Sequence, residues 1–268
     1  MNRQPCRALL LLPVCVTSAV LGTSASAQNC EARSGPKPPA VVELYTSEGC
    51  SSCPPADRWL SSLREHPSLW NGLIPLAFHV DYWDRLGWPD PFANPGHSAR
   101  QGAYFRIGAS RSVYTPGFIL AGREWHGWFR GQPLPLSDPE EVGSLTLMLD
   151  GDRLRLAFVP DRPAPPGLTA HVARLGFGLR TEVRRGENAG RLLEHDFVVL
   201  SLQQLAANAA NRWQTRVHDE PRGERQAIVA WLSAPGQVAP YQAVGGWLPT
   251  LTGQDDGQAK RPATERAP

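Results

Sequence analysis

The chain has 268 residues, with 27 Lys and Arg against 25 Asp and Glu, for a formal net charge of +2. So small a basic excess removes the long-range attraction that draws proteins to phosphate backbones or anionic lipid, and no nucleic-acid partner is expected. A chain of this length is compatible with two domains.

The first residues address the compartment. Arg3 and Arg7 precede an apolar run from Ala8 to Val16, and a small-residue stretch then ends in Ala25-Ser26-Ala27. This is the pattern of a secretory signal peptide over residues 1–27, so a secreted or periplasmic chain starting at Gln28 is expected. The run is too short for the roughly 20 apolar residues of a membrane span, and Pro13 interrupts it. No span is expected in the mature protein. Removing Arg3 and Arg7 from the 27 basic residues leaves 25 against 25 acidic ones. Cys6 and Cys15 leave with the leader, so Cys30, Cys50 and Cys53 remain of the five cysteines. Three are too few for a disulfide scaffold, and an odd one among them implies an exchangeable thiol.

From Gln28 to Pro39 the chain is polar and proline-containing, and it is expected to be mobile apart from any tether through Cys30. Ala40 to Tyr45 reads as a buried strand ending in the turn Thr46-Ser47-Glu48-Gly49. Ala56, Trp59, Leu60 and Leu63 then recur at helical spacing, with Asp57, Arg58 and Arg64 off that face. Pro54 and Pro55 fit a first helical turn, which puts the helix start near Cys50. A second strand is predicted over Leu73 to Val80, bent or at an edge at Pro75. An aromatic loop with Tyr82, Trp83, Trp88 and Phe92 follows, then a helix from His97 to Ile107 and a strand at Phe118 to Leu120. Strands alternating with helices indicate an α/β sheet. Beyond Pro139 the pattern changes to strand and turn. Leu145–Leu149 and Leu154–Val159 flank Asp150-Gly151-Asp152, a hairpin signal. Further strands are predicted around Leu168 to Leu179, Leu192 to Leu200 and Ala227 to Leu232.

Cys50-Ser51-Ser52-Cys53 is the informative motif. Two intervening residues let the sulfurs meet across one turn, and a position between a strand and a helix places the first cysteine by the positive helix end, which favours the thiolate. An inert local disulfide and a zinc site are the alternatives, but zinc asks for four ligands. A cysteine pair with a distant histidine such as His79 also suits copper. His79 and Asp81 share a strand face and suit proton transfer, metal binding or simple loop hydrogen bonding. Glu43, in an otherwise apolar strand, is either a proton carrier for the cysteines or a satisfied structural carboxylate. Thr115-Pro116 precedes a buried run ending at Gly122, where a cis proline would be a selected feature.

Together these segments resemble the thioredoxin superfamily. More closely, Val42 to Asp57, His79 to Asp84, Tyr114-Thr115-Pro116 and Glu187-Asn188-Ala189-Gly190-Arg191 resemble an exported bacterial family catalogued as domain of unknown function 1223. The resemblance implies an α/β thioredoxin-like domain over residues 38–135; the strand-and-turn pattern indicates a small all-β domain, sandwich or barrel, over 140–250, and the apolar-poor composition a disordered tail over 252–268. It implies Cys50 as nucleophile, Cys53 as resolving cysteine and Pro116 as a cis proline beside them; Glu43, Thr115, His79 and Asp81 are candidate supporting residues from their own positions in the sequence. Gly117 stands where a glutamine is expected in that family, and Ser51-Ser52 replaces the Gly-Pro of thioredoxin. The expected function is a thiol–disulfide oxidoreductase acting on protein or small-molecule thiols and disulfides. The alternative is an extracytoplasmic binding module for copper or a protein partner, with the pair as ligand or structural disulfide. No cofactor is implied and no metal site is assigned.

Overall fold

A computed structural model describes residues 29–136, 138–206, 210–217 and 222–249. The leader with its cleavage position and the 252–268 tail lie outside the described residues. In chain order the elements are β1 (Asn29–Arg33), β2 (Ala40–Thr46), α1 (Pro54–Ser62), β3 (Leu73–His79), α2 (Pro95–Arg106), β4 (Gly117–Leu120) and β5 (Arg123–Glu124). Nine strands follow: β6 (Gly143–Asp150), β7 (Arg153–Pro160), β8 (Thr169–Phe177), β9 (Leu179–Glu182), β10 (Leu192–His195), β11 (Val198–Leu205), β12 (Arg212–Arg216), β13 (Arg225–Ser233) and β14 (Gln242–Trp247).

This architecture corrects the expectation of an α/β thioredoxin-like domain followed by a small all-β one. The described residues are predominantly β, with two α-helices among fourteen strands. Strands from both halves of the chain join one eight-stranded sheet of order β14-β13-β8-β11-β3-β2-β4-β5, while β1-β6-β7-β12 form a second sheet. The seam is the parallel pair β11 and β3, which meet at Val198 and Ala77. There the Ala77 N–H donates to the Phe197 carbonyl at 2.9 Å. Pro75, with no N–H to offer a ladder, lies in β3 beyond this short pairing. A local strand–helix–strand pattern read from sequence does not reveal that the sheet continues with strands more than a hundred residues away.

The large sheet separates two cores. Along β8 and β13 the side chains alternate between them. Ala173, Leu175, Phe177, Ala227, Val229 and Trp231 pack with β2, β3, Leu60 of α1 and Tyr104 of α2. Ala170, Val172, Ile228, Ala230 and Leu232 pack instead on Leu145, Leu147, Leu154 and Leu156 of the four-stranded sheet. Period-two alternation with both faces apolar marks a strand buried on both sides.

The opening segment, expected to be mobile, contains β1, antiparallel to β6 from Asn29↔Asp150 to Arg33↔Thr146. Only Cys30 and Ala32 turn inward onto the second core. Two small inward residues among polar ones give a weak strand signal. The Asp150-Gly151-Asp152 hairpin forms as expected, with Gly151 at φ 60° and Asp150 paired to Arg153. Among the described residues no helix is long and apolar enough to cross a membrane.

Candidate functional site

β2 is buried along almost its whole length and delivers the chain into a tight turn in which the Cys50 N–H donates to the Ser47 carbonyl at 3.1 Å. Cys50 and Cys53 are joined in a disulfide with their Cα atoms 5.5 Å apart. Helix α1 begins at Pro54 rather than near Cys50, because the prolines occupy its first positions and Cys53 is the N-cap. Both cysteines are fully buried, whereas Ser51 and Ser52 between them are exposed. Cys50 thus lies by the start of α1, as expected, but without solvent exposure.

The antiparallel register of β2 and β4 pairs Tyr45 with Gly117, which puts Pro116 opposite Thr46 at the end of β2 that leads into the cysteine turn. The Thr115–Pro116 peptide is cis. Trp83 links the two segments. Its indole N–H donates to Thr115 Oγ1 at 2.8 Å, and its Cβ would stand 3.0 Å from a Cβ at position 49. Glycine at 49 permits that approach.

A second cover comes from the other half of the chain. β9 and β10 form a two-stranded ribbon, and its tip carries Glu187 and Asn188. The Asn188 side-chain amide, itself fully buried, donates to the carbonyls of Glu48 at 2.8 Å and Cys50 at 2.9 Å. Its Oδ1 accepts from Arg191 Nη1 at 2.9 Å. Glu187 Oε2 accepts from the Ser51 N–H at 3.0 Å, and the Ser51 hydroxyl first, then this N–H, hold the exposed carboxyl below its ordinary range.

Beside the disulfide lies a buried set of ionisable groups. Asp57, four residues after Cys53, donates its N–H to the Cys53 carbonyl at 3.1 Å and accepts from Thr46 Oγ1 at 2.7 Å. His79 Nδ1 lies 2.7 Å from Asp90 Oδ2, and His195 Nε2 lies 3.1 Å from Glu48 Oε1 and its Nδ1 3.9 Å from Asp57 Oδ2. Burial raises the Asp57 carboxyl, and the neighbouring His195, His79 and Thr46 do not undo it. Burial alone would lower His79, but Asp90 first, then Asp57 and Glu48, outweigh it and raise its value. Burial likewise opposes ionisation of Asp90, yet His79 and the amides of Glu48 and Phe92 hold it below its ordinary range. Among the described residues, no group of three or more His, Cys, Asp or Glu is arranged to hold a metal ion.

The supporting residues read from sequence fall in three places. His79 is in this cluster. Asp81 is tied to α2, accepting from Ser98 Oγ. Glu43 is engaged on four donors: Arg100 Nη2 at 2.6 Å and Nε at 2.9 Å, with the hydroxyls of Tyr45 and Tyr104 at 2.7 Å each. Arg100 in turn lies over Trp231, 5.0 Å from its ring centroid. That is the satisfied structural carboxylate. Sequence reasoning missed Glu48, Asp57, Asp90 and His195. Asp57 lies off the apolar face of α1, yet it is only 6% exposed. A polar residue off the apolar helix face looks solvent-bound until a distant strand supplies His195 to face it.

The chain belongs to the family described as protein of unknown function (DUF1223), whose profile matches residues 41–233. A crystal structure of an Agrobacterium tumefaciens protein is similar, at 24% identity and a TM-score of 0.53, over 77% of this chain and 92% of that one. This likeness concerns fold alone. HBP35 of Porphyromonas gingivalis is 14% identical with a TM-score of 0.48, over 82% of this chain and 79% of that one. No curated protein matches.

Proposed function

We propose that the protein is an exported thiol–disulfide oxidoreductase, using Cys50 and Cys53 on protein or small-molecule thiols and disulfides. The relationship to the thioredoxin superfamily is a reading of this local unit and not of the whole fold. One observation carries it: a disulfide spanning two residues at the start of α1, with a buried carboxylic acid of raised pKa, Asp57, one helical turn beyond Cys53. Residues four apart share a helix face, and an acid held protonated at higher pH than usual suits proton exchange with a thiol.

In the reductive direction Cys50 gives its proton to water, its thiolate attacks a substrate disulfide sulfur, and one substrate thiolate leaves and takes a proton from water. Cys53 then loses its proton to Asp57 and attacks Cys50. The intramolecular disulfide forms, the second substrate thiolate departs and takes the proton back from Asp57, and two electrons have passed to the substrate. The reverse sequence oxidises a substrate dithiol. The leader-like residues 1–27 support export, the compartment in which such disulfides persist.

The test is covalent trapping in a Cys30→Ser background. Cys53→Ser is expected to accumulate mixed disulfides with a disulfide-bearing peptide, and Cys50→Ser few or none. Equal trapping by the two variants would reject the assigned roles. No trapping, with a pair that resists reduction in the unfolded-free protein, would assign an inert disulfide.

A further inference from the structure

The β8–β11 hairpin does not end where the large sheet ends. Its strands pair as far as Gly176↔Val198 and resume beyond a break as Leu179↔His195 in the ribbon. Gly178 at φ 63° and Phe197 at φ 58° occupy the break, one on each strand. Two left-handed residues side by side turn the outer half of the hairpin out of the sheet. The redirected ribbon then lies against α1. Its base is held by buried Leu179, Leu193 and His195. Its tip is closed on itself, the Gly190 N–H donating to the Val183 carbonyl at 2.8 Å.

The tip touches the rest of the chain in a specific way. Asn188 presents an amide N–H to the carbonyl of Cys50, and Glu187 presents a carboxylate oxygen to the N–H of Ser51. These are the donor and acceptor that an extended polypeptide would offer to the same backbone groups. The disulfide below is fully buried, although the exchange reaction requires a linear approach of a thiolate to sulfur.

We infer that the β9–β10 ribbon is an autoinhibitory cover on the cysteine turn, latched by Asn188 and Glu187, and that a polypeptide substrate displaces the latch by taking over its hydrogen bonds. The inference deepens the oxidoreductase reading, but its test needs no substrate. With the cover latched, the rate of attack is the intrinsic rate multiplied by the fraction of molecules with the ribbon raised. Removing the two Asn188 donations increases that fraction. A side chain of ordinary accessibility would show no such effect.

The experiment measures reduction of the Cys50–Cys53 disulfide by dithiothreitol at fixed pH in the Cys30→Ser protein. The reagent's thiolate attacks one sulfur, its second thiolate closes the reagent's own cyclic disulfide, and two electrons leave Cys50 and Cys53 as thiols. Asn188→Ala is expected to be reduced about tenfold faster, matching the loss of about 1.4 kcal/mol of latching. Glu187→Gln, at an exposed position that leaves the fold intact, is expected to be reduced about threefold faster, since a neutral amide oxygen is the weaker acceptor. Amide hydrogen exchange at residues 183–191 should rise in the same order. Reduction of both variants at the parent rate overturns the latch. If Asn188→Ala fails to fold, the Glu187→Gln rate alone decides. Unchanged rates alongside successful trapping by Cys53→Ser would remove the latch and leave the oxidoreductase reading standing, whereas accelerated rates without trapping would do the reverse.

Discussion

The rings of His79 and His195 meet edge to face with centroids 4.9 Å apart, each giving one nitrogen to a carboxylate while the other, His79 Nε2 or His195 Nδ1, has no hydrogen-bond partner among the described residues. Buried polar atoms are almost always paired, so an unpaired nitrogen on each of two touching rings is a feature to account for. The strand ends that carry them come from opposite halves of the chain, and their contact exists only because β11 docks on β3.

His79 should give the protein a stability that declines on the alkaline side. Its folded value is raised above the ordinary 6.5 by Asp90, Asp57 and Glu48 against the pull of burial. The protonated ring is thus favoured by folding. Its contribution is complete below pH 6.5 and disappears as pH rises through the folded value. Denaturant unfolding from pH 6 to 9 should show this decline, and His79→Gln should remove most of it. A parallel slope in the variant would mean that another group is responsible.

His97 works in the opposite direction. Burial lowers it to about 4, against the upward pull of the His79 carbonyl 2.9 Å from its Nδ1. Folding favours the neutral ring, so stability is lost as pH falls from 6.5 toward 4, by about 3 kcal/mol when the proton is fully taken up. His171, hydrogen-bonded to Ser233 and lowered to about 3 by burial and then by the Arg100 charge, adds a loss of the same sign that begins in the same window. Unfolding curves at pH 4 and 6.5 for His97→Gln should differ less than those of the parent. An unchanged difference would rule out His97.

The elements that hold the cysteines were legible because each is locally determined. β2 is apolar from Ala40 to Tyr45 but for Glu43, α1 has prolines where a helix tolerates them, and Asn94 caps α2 by accepting from the Gly96 N–H at 2.8 Å. What sequence could not show is everything set by docking over long separations. Neither the continuation of β3 by β11 nor the burial of Asp57 against His195 has a local periodic signature. The break at Phe197 divides a run, Leu192 to Leu200, that reads as a single strand. Glu187 to Arg191 stood out only as a short matching segment, and its contact with residues 138 and 140 positions earlier is invisible without the fold.

Arg100 and Glu43 should behave as a structural pair. Both are buried, and Tyr45 and Tyr104 complete the carboxylate's partners. Arg100→Met leaves an unpaired buried charge and should destabilise by about 3–5 kcal/mol. Combining it with Glu43→Gln should restore part of that loss. The rate of disulfide reduction in the folded single variant should match the parent. A change in that rate without a change in stability would return Glu43 to the list of proton carriers.

Asp57 separates a functional group from a structural one most sharply, because the two roles predict opposite signs. Its folded value is raised above the ordinary 3.8, chiefly by burial. The contribution to stability is therefore present below pH 3.8 and lost as pH rises through the folded value, so the ionised carboxylate burdens the native state at neutral pH. Asn at this position keeps an oxygen for the Thr46 hydroxyl, which donates at 2.7 Å, and removes the charge. Asp57→Asn should leave stability at pH 7 unchanged or higher. The same substitution deprives Cys53 of a proton acceptor, and general-base assistance is worth about 10²–10⁴-fold. Resolution of the mixed disulfide should consequently slow by on the order of a hundredfold near pH 7, and less as pH approaches the ordinary thiol value of about 8.5, where Cys53 ionises unaided. A gain in stability with a loss of exchange is the signature of a group retained for chemistry. Lower stability with undiminished exchange would make Asp57 a packing residue and leave Cys53 without an assigned base.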